Sequence, residues 1–306
     1  MTAAATDFLA PKPRSLWQNA LRHLLHQRSA IVGMVLLSLL ILVALLAPVL
    51  ATHDPEATLI GKEEVKKREP PCIHLLGCPA EKPSHLFGLD GNVRDLFSRV
   101  VYGARLSLVV GFTSVGFAIV IGTVLGAIAG YMGGWTSNVI MRVMDVLLAF
   151  PSLILTIAIV TVLGPGLINT LIAIGIVSIP SYARVVRASV LSIKSLDYVT
   201  ADLALGVPAM RILFHHIMPN ALTPLVVQAT LGIAGAILDA AALSFLGLGA
   251  QPPTPEWGSM IGAERNQVFT APHLIFFPGM ALVLTVLGFN LLGDGLRDAL
   301  DPRLNR

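Results

Sequence analysis

The sequence predicts an all-α membrane protein with six transmembrane helices and both termini cytoplasmic. Three observations carry that expectation. Hydrophobic residues make up 55% of the 306 residues and charged ones 13%, about half the soluble average of roughly 25%. With a mean hydropathy of +0.77, there is too little polar surface to wrap so much apolar side chain in water, and lipid must solvate it. The apolar residues also fall into long uncharged runs, and the basic residues divide unequally between the segments that join them. A net charge of +3, spread along the chain, reads as membrane orientation and excludes a nucleic-acid footprint.

The runs justify the helices in order, since a span needs roughly 20 apolar residues. Ile31 to Leu50 is uncharged. Basic flanks at Arg14, Arg22 and Arg28 suggest a secretory signal, but this core exceeds the usual h-region of about 7–15 residues, so it reads as a retained helix. Residues 1–30 are then a cytoplasmic segment, 31–52 the first transmembrane helix, 53–105 an extracytoplasmic loop and 106–306 a transmembrane core. In the core, Gly133-Gly134 closes a span from Leu106 to Tyr131, and Arg142 and Asp145 mark a short loop. Val146 to Ala183 holds no charge, and Gly164-Pro165-Gly166 divides it into spans at Val146–Leu163 and Leu167–Ser181. The last two spans are Pro219–Leu238 and Leu274–Leu292.

With the N-terminus inside, the inner segments carry twelve of the 21 Lys and Arg residues, and the last two outer loops carry only Arg265. The first outer loop holds the other eight, balanced by eight acids. Long loops cross largely regardless of charge, so the short ones decide the orientation.

Catalytic signatures are missing. Gly61-Lys62 is followed by Glu63 and lacks the upstream glycine of a P-loop, and neither G-x-S-x-G nor H-E-x-x-H occurs. His215-His216 is no metal pair, because adjacent helical residues point about 100° apart. No catalytic, cofactor-binding or metal-binding residue is expected in this chain.

The informative segment lies between the fourth and fifth spans, in a cytoplasmic loop of about residues 184–218. It reads helix, stop, helix. Gly206 suits the left-handed closure of the first helix, and Pro208 the first turn of the second. Met210, Leu213, Phe214 and Ile217 recur at i, i+3, i+4, i+7, an apolar stripe that either packs on its own bundle or docks into a partner.

The spacing from Ala201 through Gly206 to His216-Ile-Met-Pro219 resembles the cytoplasmic coupling loop of ABC importer permeases, general pattern E-A-A-x3-G-x9-I-x-L-P. Further stretches resemble the dipeptide/oligopeptide/nickel branch: Phe87-Gly-Leu-Asp90, Arg94-Asp95, Ser98-Arg99, Tyr102-Gly-Ala-Arg105, Met144-Asp145, Ile237 to Gly258, and Asn290 to Pro302. They cover most of the chain after Leu86, and the last two are highly specific. The sequence departs from the pattern at Thr200 and Asp202, which stand for its Glu and second Ala, and at Leu89 and Val93 in the outer loop.

The resemblance implies a type I ABC importer permease, the C-type half of a heterodimeric pore in a bacterial or archaeal inner membrane. Its partners would be a homologous permease, two cytoplasmic ATPase subunits holding ATP and Mg, an extracytoplasmic substrate-binding protein and membrane lipid, with no nucleic acid. The coupling helix would run from about Ala201 to His216. Within the branch, Ile237-Leu-Asp239 and Gln251 to Glu256 point to short peptides over nickel chelates. A secondary transporter driven by an ion gradient is the alternative, although no internal repeat supports it.

Four features keep more than one reading. Gly122, Gly126 and Gly130 either admit a neighbouring helix or reflect ordinary membrane glycine content. Asp239, the one acid between Ile212 and Pro255, lines the translocation path or is structural. Asp294, Asp298 and Asp301 interleave with arginines as a salt-paired tail and only imitate a metal motif. Cys72 and Cys78 share the outer loop at a spacing that permits a disulfide, against a zinc site with His74 and His85, or free thiols.

Overall fold

In hydrocarbon every backbone N–H and C=O must be bonded within the protein, so the apolar runs fold as helices. The computed structural model describes residues 24–79 and 81–300. Among these no strand forms, only isolated bridges such as Cys72 to His85 and Leu89 to Asp95. The helices are α1 (Arg28–Leu50), α2 (Leu96–Met132), α3 (Gly134–Leu148), α4 (Ser152–Leu163), α5 (Leu167–Lys194), α6 (Asp197–Ala204), α7 (Ala209–Phe245), α8 (Trp257–Glu264) and α9 (His273–Leu300). Of these, α1, α2, α5, α7 and α9 are each long and apolar enough to cross a membrane, and α3 with α4, bent by 90°, is a candidate for a sixth as a broken span or a re-entrant pair. Lys12, Arg14 and Arg22 lie outside the described residues, as do Asp301, Arg303 and Arg306.

The structure corrects several boundaries. The expected span Val146–Leu163 is broken at Ala149–Pro151, because a residue before proline is driven out of the helical region. Arg142 and Asp145 lie on α3, not in a loop, where Asp145 takes a 2.6 Å ion pair from Arg184 of α5. The α2 helix begins at Leu96, ten residues before the first uncharged position, because the Arg99 guanidinium is bonded at 2.6 Å to Pro55 O and 3.0 Å to Pro253 O. No separate helix ends at Pro219. Instead α7 runs unbroken from Ala209 through a π-helical turn, Ile212–Ile217, into Met218–Phe245. Pro219 falls just after that turn, in the first turn of the following α-helical segment, where a proline is best tolerated.

Packing is set by close backbone approach. Of the two readings of the α2 glycines, the structure takes the first: Cβ atoms at Gly122, Gly126 and Gly130 would stand 2.7, 2.5 and 2.8 Å from Tyr182 Cβ, Ala183 O and Val190 Cβ of α5. Around that contact Tyr182, Val186, Val190, Ile212 and Ile217 form the main core, each at most 2% exposed. In the same manner α1 lies on α9, where a Cβ at Gly33 would stand 2.7 Å from Leu292 N. At that end Gln27 donates to Asp298 at 3.0 Å, which ties α9 to the start of α1.

Gly126→Val is expected to destabilise the folded protein by about 1–3 kcal/mol through overpacking. Gly235→Ala, where a Cβ meets open space, is expected to be neutral or slightly stabilising. Thermal unfolding of the two purified variants checks the contrast.

Candidate functional site

The loop joining α5 to α7 is held rigidly. Val199 of α6 is fully buried in the core beside Ile212 and Ile217, which anchors the short helix by one side chain. Gly206 closes it at φ +75°, with its N–H on Leu203 O at 3.1 Å and the Val207 N–H on Asp202 O at 3.0 Å, the bonding that ends helices in the left-handed conformation. Pro208 is the N-cap of α7 and so precedes its first turn. Asp202, the departure from the coupling pattern, hydrogen-bonds His216 Nδ1 in the π turn, so both halves of the loop are cross-linked by side chains. His216 is thereby engaged in bracing the loop.

The predicted stripe splits. Leu213 and Ile217 are buried in the chain's own core, whereas Met210 and Phe214 stand 63% and 58% exposed. A π turn closes i→i+5, so residues three and four apart do not share one face. The exposed pair is joined by residues the periodicity passed over: Tyr198, Leu203 and above all Leu205, 81% exposed. The signal for Leu205 was available, since an apolar residue beside a helix-closing glycine has no helix face to bury it. Ala201 and Pro219 are exposed at the same end. The result is an apolar surface on a braced scaffold.

At the opposite end the long loop folds onto α2, α8 and α9. Asp95 caps α2, accepting the Ser98 N–H at 2.8 Å, and is fully buried with Ser98. Asp90 accepts Arg94 Nε at 2.8 Å, and Glu264 of α8 accepts Arg68 Nε and the Gly91 N–H, both at 2.8 Å. Asp90, Arg94, Asp95, Ser98 and Arg99 of this stretch are therefore bonded within the chain's own fold. Trp257 covers Gly103 and donates to Val100 O at 3.0 Å, while Glu256 caps α8 through the Gly258 and Ser259 N–H groups. Burial pushes the Glu256 carboxyl up, and those N–H groups offset only part of the effect.

His85 lies between Asp95 and Glu63 at 3.0 and 3.1 Å. Burial alone would lower it, but the bonds and charge of Asp95 and then Glu63 outweigh this and raise it. Asp95 is correspondingly lowered: burial works against ionisation, and His85, Ser98 and His53 overcome it. Cys72 and Cys78 are paired as a disulfide with Cα atoms 5.4 Å apart, turned by Gly77 at φ +96°. His74 bonds Lys82 O at 2.7 Å, so the zinc reading built on those cysteines does not hold. Asp239 sits half-buried on α7, and among the described residues no side chain bonds it.

Residues 122–306 match the family described as binding-protein-dependent transport system inner membrane component, and residues 15–71 match the N-terminal TM domain of oligopeptide transport permease C. The chain is 49% identical to the dipeptide transport system permease protein DppC of Alkalihalophilus pseudofirmus, over 99% of both chains. It is 45% identical to the di/tripeptide transport system permease protein DppC of Pseudomonas aeruginosa, over 99% of this chain and 96% of that one. Identity to the glutathione transport system permease protein GsiD of Pectobacterium atrosepticum is 43%, over 95% and 92%. Among solved structures, an inward-facing MetNI methionine ABC transporter chain matches with a TM-score of 0.56 at 21% identity, over 66% of this chain and 96% of that one, a likeness of fold.

Mass spectrometry of unreduced, alkylated protein should recover Cys72 and Cys78 in linked peptides. Replacing both by serine is expected to lower stability by about 2 kcal/mol, the loop-entropy value for so short a ring, read as a lower unfolding temperature. Quantitative alkylation of both thiols in protein from an oxidising compartment would contradict the pairing.

Proposed function

The chain belongs to the family of binding-protein-dependent transport system inner membrane components, and from that premise we propose how it works. It is a multi-pass inner-membrane permease of an ABC importer, which sets aside the ion-gradient alternative. We read it as one half of a pore, completed by a homologous permease. Two cytoplasmic ATPase subunits hold ATP and Mg and supply the hydrolysis, an extracytoplasmic binding protein delivers cargo, and lipid covers the remaining apolar surface. Both termini are cytoplasmic in this reading. Short peptides are the cargo, as the names of the similar permeases suggest.

The observation that carries the reading is the exposed apolar surface of Tyr198, Leu203, Leu205, Met210 and Phe214 around Gly206. A partner that covered it would gain on the order of 1 kcal/mol per large side chain. The surface is also mechanically connected. Because α7 is one helix of 37 residues, about 55 Å long at 1.5 Å per residue, a push on Met210 or Phe214 moves the segment that carries Asp239. ATP-driven closure of the ATPases then tilts α7 and switches the pore between inward and outward openings, with Asp239 facing the translocation path.

Two outcomes test this. Gly206→Val forces a β-branched residue into the left-handed region, whereas Gly206→Asn tolerates it. A Cβ there meets nothing within 4 Å, so backbone conformation alone separates the variants. Gly206→Val and Phe214→Asp should reduce ATPase copurification and transport-linked hydrolysis at least several-fold with membrane insertion preserved, and Gly206→Asn should retain both. Wild-type coupling in Gly206→Val and Phe214→Asp would refute the docking assignment. For topology, single cysteines at Ser84 and Gln267 should react with an impermeant reagent from outside, and one at Ser192 only after permeabilisation. Labelling of Ser192 in intact cells would overturn the orientation.

A further inference from the structure

We propose that His53, His85 and Asp95 bind one divalent cation of the zinc class at the loop-bearing end of the molecule, with Glu63 as the supporting carboxylate. This is separate from the coupling surface and does not depend on the transport reading. Ligand atoms of the three residues all lie within 4.8 Å of one another. His85 Nδ1 is 3.0 Å and His53 Nδ1 3.9 Å from the same oxygen, Asp95 Oδ1. Zinc bonded to nitrogen and oxygen at about 2.0–2.1 Å in a tetrahedron separates its ligands by about 3.3 Å, which falls inside that interval.

The outer side of both rings is equally specific. His85 Nε2 lies 3.1 Å from one Glu63 oxygen and His53 Nε2 3.4 Å from the other. Metal-binding histidines characteristically give their second ring N–H to a carboxylate, which fixes the tautomer and turns the other nitrogen's lone pair to the metal. His85 Nε2 bonds Glu63 in this manner, which places its Nδ1 on the Asp95 Oδ1 side. Asp95 and Glu63 together carry two negative charges, which one dication balances. Thr52 Oγ1 hydrogen-bonds His53 Nδ1 at 2.9 Å, which holds that ring beside Asp95.

Imidazole with carboxylate oxygen suits zinc better than magnesium or calcium, which prefer oxygen alone. The site is built to hold shape. Asp95 is fully buried and His85 nearly so, and the other Asp95 oxygen is occupied by Ser98. The ion would tie residue 53, just beyond α1, and the disulfide-bearing hairpin to the N-terminus of α2.

The test uses the full-length chain in detergent, stripped with a chelator, desalted and titrated with Zn²⁺ alone. Wild-type protein should retain one equivalent, with X-ray absorption showing imidazole scattering and nitrogen and oxygen neighbours near about 2.0 Å, and zinc should raise its unfolding temperature. His53→Ala, a substitution at the rim of the site, should lose that equivalent and the thermal shift while unfolding like the stripped wild type. His74→Ala should keep both. Retention of no zinc by the wild type, absence of imidazole scattering, or a full equivalent in His53→Ala would each overturn the assignment. The wild-type spectrum decides the matter even if a histidine variant fails to fold.

Discussion

The approach of α2 to α5 is the contact on which the other features rest. Lipid tails are as apolar as leucine, so helices in a bilayer gain little from hydrophobicity alone and must associate through fit. Gly122, Gly126 and Gly130 supply that fit by removing every side chain from the line where α5 lies. Once the two helices touch, α2 carries the long-loop architecture at its N-terminus, and α5 leads directly into the loop of α6 and α7. Both ends of the molecule thus inherit their positions from one glycine-lined seam.

The two ends solve different problems. At the long-loop end, charge is concentrated and turned inward: Asp90, Arg94, Arg99, Arg68 and Glu264 pair with each other or with backbone carbonyls, and Trp257 adds an apolar plug. Interior ion pairs of this kind specify an arrangement more than they stabilise it, because desolvation offsets much of their attraction. Val93 illustrates the cost of that specification. It occupies the left-handed region at φ 57°, where a glycine would be unstrained, yet it buries its side chain against Leu59 and Leu89. At the opposite end the polarity is reversed, with polar contacts such as Asp202 to His216 bracing the scaffold and apolar side chains facing outward.

Much of this was legible in the sequence. The class of fold followed from composition, and Gly206 from the need for a left-handed residue between two helical patterns. Cys72 and Cys78 followed from their shared loop and spacing. Boundaries were harder, for physical reasons. Charge was taken to end a helix, but Arg99 and Arg184 remain helical because carbonyls or a carboxylate satisfy them. Proline was taken to begin one at Pro219, but a π turn joins that segment to the helix before it. The same turn split the Met210 to Ile217 stripe, since a change of pitch is invisible to a fixed 3.6-residue period. The His53, Glu63, His85 and Asp95 cluster joins residues from separate stretches of an irregular loop, and no periodicity describes such a loop.

The bend after α3 has a consequence for the surrounding bilayer. Twelve residues make α4 about 18 Å long, against a hydrocarbon thickness of about 30 Å. Where α4 faces lipid its own length falls short of that thickness, a hydrophobic mismatch whose cost accumulates with every ångström unless α3, beyond the bend, completes the crossing. Ile154 and Val162 are 60% and 86% exposed on this short helix, so its outer face is apolar although its length is inadequate. A second protein surface that is itself full-length would remove the mismatch by replacing lipid there. The shortness of α4 thereby marks a side of the molecule that the membrane alone solvates poorly.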